Sequence, residues 1–121
     1  MSAQFRLNEH LVEWNKFLLQ EWQPALIEEA EAKANFEYKF NLLKATLRIQ
    51  QPNIASAWAE SMAMANEEVN VLNLTRRLAE AKVEALRKTL NYLEARADAI
   101  RSEVSSEREE AKLHASNRYI P

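Results

Sequence analysis

The chain contains no glycine and no cysteine in 121 residues, and only 3 prolines. Glycine supplies the positive φ of tight turns and lets backbone approach a ligand closely. Its absence excludes phosphate-cradling loops, dinucleotide fingerprints and nucleophile elbows. It also speaks against a β fold rich in tight hairpins. Without cysteine there are no disulfides, thiolate metal sites or cysteine nucleophiles, which fits a reducing compartment. No apolar run approaches the roughly 20 residues of a membrane span. The opening Met1-Ser2-Ala3-Gln4-Phe5-Arg6 lacks the apolar stretch of a secretory signal. The expected setting is soluble and cytoplasmic, with no membrane contact. The 16 basic and 18 acidic residues leave a net charge of −2, unlike a generally basic nucleic-acid binder.

What remains is a helix-forming chain punctuated by two internal prolines. Proline lacks an amide donor and clashes with the preceding turn, so it starts, ends or kinks helices. Helix one is expected over about 8–23, with Asn8 as its N-cap. Helix two follows over about 24–50, either collinear with helix one or kinked at Pro24. Gln51-Pro52-Asn53 is the clear turn, and a long helix runs over about 54–114. Asn66 ahead of Glu67-Glu68 has the form of a fresh cap, so 63–66 is where this helix would break. Residues 115–121 read as a frayed or docking tail. The expected fold class is all-α, a single helical domain over 1–121. Its form is a long antiparallel helical hairpin or coiled coil with an additional N-terminal helix.

The long helix carries a seam with alternating spacings of four and three. It comprises Trp58, Met62, Ala65, Val69, Leu72, Arg76, Ala79, Val83, Leu86, Leu90, Leu93, Ala97, Ile100 and Val104. That is the 3.5-residue repeat of a left-handed coiled coil. A second apolar stripe, Val71, Leu74, Leu78, Ala81, Ala85 and Tyr92, falls at the c and f positions that normally face water. A helix apolar on two sides needs two packing surfaces. The N-terminal helices are too short to shield both faces of so long a rod, so a homo-oligomer is expected. Its candidate interface is Val71, Leu74, Leu78 and Tyr92. The alternative is a closed three-helix monomer.

Antiparallel pairing across the Pro52 turn makes residues meet when their numbers sum to about 104. Trp58 then faces Leu47, Met62 faces Leu42, and Arg76, the one charge in the seam, faces Glu28. A buried guanidinium must be paired, so Arg76 either sets register with Glu28 or joins Arg77 in a partner-binding groove. Helix one, with Leu7, Leu11, Trp14, Leu18 and Trp22 as its stripe, is placed against about 82–97. Beyond Ile100 the long helix turns polar and overhangs.

The sequence offers no catalytic constellation. His10 and His114 lack metal-ligating neighbours at helical spacing, and no zinc-protease or calcium-loop pattern occurs. Glu28, Glu29 and Glu31 follow Pro24, where carboxylates complement a helix dipole. Ser105 and Ser106 have no base nearby in sequence. The chain is therefore expected to be no enzyme and to use no metal and no cofactor. Its cations are Lys44, Arg48, Arg76, Arg77, Arg87, Lys88, Arg96 and Arg101. They are candidates for a nucleic-acid or partner contact, with Tyr38 and Tyr92 available to stack on bases. The pattern fits better a solvated face of i,i+4 ion pairs such as Glu84 with Lys88.

Two segments carry a resemblance. One is Leu86-Arg87-Lys88-Thr89-Leu90-Asn91-Tyr92-Leu93-Glu94-Ala95-Arg96-Ala97-Asp98-Ala99-Ile100-Arg101-Ser102, and the other is Phe36-Glu37-Tyr38-Lys39-Phe40. Together they resemble the small phage-encoded helical-hairpin proteins of recombination and replication gene clusters, of the recombination-mediator type. The resemblance implies an accessory factor in the host-cell cytoplasm that binds single-stranded DNA and a recombinase or SSB-like partner. Two other roles stay open: a phage-encoded inhibitor or adaptor that binds a host protein, and a structural coiled-coil subunit.

Overall fold

The computed structural model describes residues 2–117. Its helices are α1 (Ala3–Phe17), a π turn (Leu18–Trp22), α2 (Gln23–Gln50), α3 (Ser56–Ala65) and α4 (Glu67–Asn117). No strand occurs among the described residues, and the fold is an all-α antiparallel helical hairpin. The chain divides into two compact units. One joins the segment up to Glu21 with the segment from Leu86 onward, and the other is Trp22–Ala85.

In the first unit α1 starts earlier than its sequence suggests. Ser2, not Asn8, is the N-cap, and its hydroxyl accepts from the Phe5 amide at 3.2 Å. The Ala3 amide donates to both Glu107 carboxylate oxygens at 3.2 Å, and Arg6 pairs with Glu103. Negative charge is thus placed on the positive end of the α1 dipole. Ala3, Leu7, Ile100 and Val104 form one buried cluster. Because α1 begins five residues sooner, 100–107 is packed rather than overhanging. The segment 118–121 of the expected tail lies outside the described residues.

His10 belongs to this core at 2% exposure. Its Nε2 lies 2.7 Å from the Leu93 carbonyl oxygen. A carbonyl only accepts, so Nε2 carries the proton. Nδ1 and the nearby Trp14 Nε1 are buried and have no partner. The α1 stripe is therefore Ala3, Leu7, His10, Trp14 and Phe17, and Leu11 is 37% exposed.

The π turn accounts for the passage across Pro24. Buried and half-buried positions step by three or four along α1 to Phe17, the adjacent Leu18 is half-buried as well, and Trp22 follows four residues after Leu18. They resume the three–four rhythm at Ala25, Glu29, Ala32 and Phe36. A π turn accommodates one extra residue without leaving the helix. It also widens the spiral at Gln20, whose carbonyl the Pro24 ring would otherwise strike.

In the second unit the turn at 51–55 reverses the chain. Lys44 pairs with Glu60 at 3.6 Å and Arg48 donates to the Ser56 hydroxyl at 2.7 Å, both on the expected register. The expected long helix is interrupted once, at Asn66. Its backbone is extended, and its Oδ1 accepts from the Val69 amide at 3.1 Å. Glu67 and Glu68 occupy the first turn that this cap opens. The interruption shifts the packing phase. Ala59 and Ala63 are buried before it, while the expected seam residues Trp58 and Met62 are 61% and 37% exposed. After Asn66 the seam is as expected, with every member from Val69 to Val104 buried or half-buried.

The register drifts as well, as Lys39–Glu68 at 3.0 Å and Lys82–Glu28 at 3.1 Å show. Lys82 therefore takes the carboxylate expected for Arg76. Replacing Asn66 with Ala removes the α4 cap and is expected to cost about 1 kcal/mol. A thermal melt reads this, since the exposed side chain makes no core contact that could explain the same loss.

Candidate interaction surface

The outward face of α4 is set by its inward one. Val69, Ala79 and Val83 fill the seam at 0%, 5% and 3% exposure. Residues two or five positions further along the heptad then point the opposite way. Val71, Leu74 and Leu78 occupy those positions and are 59%, 56% and 63% exposed. A shallow open depression lined by Glu67, Asn70, Val71, Asn73, Leu74 and Arg77 lies at the start of this stripe. Tyr92, the fourth expected interface residue, lies in the first unit and is 60% exposed. Its hydroxyl accepts from Arg96 at 3.5 Å.

A second apolar face lies near the turn, and the sequence reading missed it. Leu42, Trp58 and Met62 each precede a seam residue by one position, namely Leu43, Ala59 and Ala63. Ile49 lies seven residues after Leu42, at the same heptad position. One step toward the N-terminus from the seam is the same side on both members of an antiparallel pair. These four side chains therefore share one flank of the α2–α3 pair, and all are exposed. Lys44–Glu60 and Arg48–Ser56 bridge the other flank. The signal that could have revealed the face is the Asn66 cap. Had the phase been restarted there, Trp58 and Met62 would have fallen outside the seam.

Within neither unit are the candidate cations brought to one face. Lys44 pairs with Glu60 and lies 4.9 Å above the Phe40 ring. Arg48 is held by Ser56. Arg76 is bonded to Asn73 at 2.6 Å and Glu80 at 2.7 Å, and it covers the Phe36 ring at 5.0 Å. It is paired, as a partly buried guanidinium must be, but along its own helix. Arg101 reaches Asp98 at 3.3 Å, and Arg87 has a contact of its own. Arg77, Lys88 and Arg96 are exposed. In the first unit Arg87, Lys88, Arg96 and Arg101 occupy heptad positions e, f, g and e, which spreads them around the helix.

No group of three or more potential metal-ligating side chains occurs among the described residues. No described helix is long and apolar enough to cross a membrane. The chain matches no family model, no curated protein and no solved structure.

Proposed function

We propose that the protein is a non-enzymatic, self-associating accessory factor that works through helix-face contacts. One observation carries this reading: Val71, Leu74 and Leu78 are more than half exposed on the back of a helix whose front is packed. Apolar side chains recurring along one helix face mark an interaction surface, whereas single exposed apolar residues do not. The resemblance of 86–102 supports a role in DNA recombination or replication, with a recombinase or SSB-like protein as the partner. An adaptor or inhibitor of a host protein would use the same surfaces. Direct contact with single-stranded DNA has less support, because the cations are dispersed and three of them already hold carboxylates.

Light scattering together with titration of a single-stranded oligonucleotide tests the proposal. A mass above one chain that grows with protein concentration is expected, and a monomer at every concentration contradicts self-association. Binding that weakens steeply with salt would add the nucleic-acid contact, since each neutralised phosphate contributes to the slope. Absence of binding at low salt leaves a protein partner alone.

A further inference from the structure

The outward stripe of α4 is complementary to itself in one direction. Within the second unit its first half is large (Val71, Leu74 and Leu78) and its second half is small (Ala81 and Ala85), before Lys88 and Tyr92 follow in the first unit. On one side it is flanked by Asn70, Arg77 and Glu84, and on the other by Glu68, Thr75 and Lys82. We propose that this face packs antiparallel against the same face of a second copy. Leu74 then meets Ala85 and Leu78 meets Ala81, while Arg77 faces Glu84 twice across the two-fold axis. This deepens the self-association proposed above and rests on it.

Size and charge each select this pairing. Set antiparallel, the leucines of each copy lie over the alanines of the other, so the two helices approach closely without voids. Set parallel, large residues oppose large and small oppose small, and the alanine half cannot close. Heptad flank rules put like flanks together in antiparallel pairs and opposite flanks together in parallel ones. The parallel arrangement therefore brings Arg77 against Lys82 of the second copy, two like charges. An antiparallel pair slipped by one heptad sets Arg77 against Arg77 and Leu74 against Leu78. That slip also brings Glu68 to Lys82, so the proposed register is the one that joins opposite charges without also opposing like ones, and two-fold symmetry doubles the gain. Arg77 is exposed and has no ion-pair partner among the described residues, so it is available for this role, while Glu84 already has a contact within its own chain and would accept Arg77 as a second one. The face is short, so the pair is expected to be weak and to form in the micromolar range, as small interfaces do.

The absence of native cysteine makes cross-linking a direct test. Leu74→Cys and tagged Ala85→Cys proteins are mixed under mild oxidation. The heterodimer is expected to form at least tenfold faster than either homodimer, because 74 and 85 each lie far from their own copy across the axis. Equal rates overturn the register, and so does a dimeric mass with no cross-link. The second readout is charge exchange. Arg77→Glu should weaken the dimer roughly tenfold, by turning two attractions into repulsions, and adding Glu84→Arg should restore it to within about twofold. Failure of the rescue overturns the charge pairing even where the single variant weakens assembly. A wild-type protein that stays monomeric refutes the self-association itself, whereas a dimer lacking these cross-links refutes only the direction and register.

Discussion

Replacing Val69 with Asp is expected to unfold the second unit. Val69 is the largest fully buried side chain, at 0% exposure, and it opens the α4 seam three residues after the Asn66 cap. A carboxylate there is cut off from water, and Lys39, which reaches the neighbouring position, is already held by Glu68. A buried unpaired charge costs about 4 kcal/mol or more, against a total of about 5–15 kcal/mol for a domain. Circular dichroism should show a large loss of helix, and the melt should be broad or absent at 25 °C. Val69→Ala removes volume without adding charge. It should keep the helix and lose about 2 kcal/mol, lowering Tm by about 10 °C. Equal behaviour of the two variants would mean that α4 is not held by its seam.

Replacing Leu78 with Glu should do the reverse. Leu78 is 63% exposed and touches no core, and Glu is as good a helix former as Leu. Stability of the single chain should change by less than about 0.5 kcal/mol. In a two-fold pair the substitution appears twice, each copy placing a carboxylate on an alanine face. Dimer affinity should fall by about 100-fold or more. Circular dichroism at low concentration should be unchanged while the scattering mass at high concentration drops to one chain. A loss of helix would instead place Leu78 in the fold, and the outward stripe would not exist.

These opposite outcomes are legible in the sequence because α4 keeps one phase for so long. From Val69 to Val104 the three–four spacing is unbroken and apolar except at Arg76. The stripe behind it therefore stands out as a second feature. The π turn was hidden for the opposite reason. Phe17, Leu18, Leu19 and Trp22 supply apolar groups at every phase, so no pattern marks the extra residue. The same ambiguity misled the reading of α3. Trp58 and Met62 are larger than Ala59 and Ala63, yet the alanines face α2, because small side chains let the helices approach closely after a tight reversal. The buried role of His10 is not legible in the sequence, because a polar residue in an apolar stripe is identified only through its partner, the Leu93 carbonyl. The capping roles of Ser2 and Asn8 are chemically equivalent. The distant Glu103 and Glu107, which receive Arg6 and Ala3, make the earlier start worthwhile.

Sedimentation equilibrium of the wild-type chain beside Leu78→Glu, from micromolar to high micromolar protein, puts the most weight on the fewest assumptions. The wild type should climb from the 14.0 kDa of one chain toward twice that mass, while the variant stays at one chain with its helix content intact. Identical masses for the two proteins across the whole range would contradict an outward α4 face that joins one molecule to another.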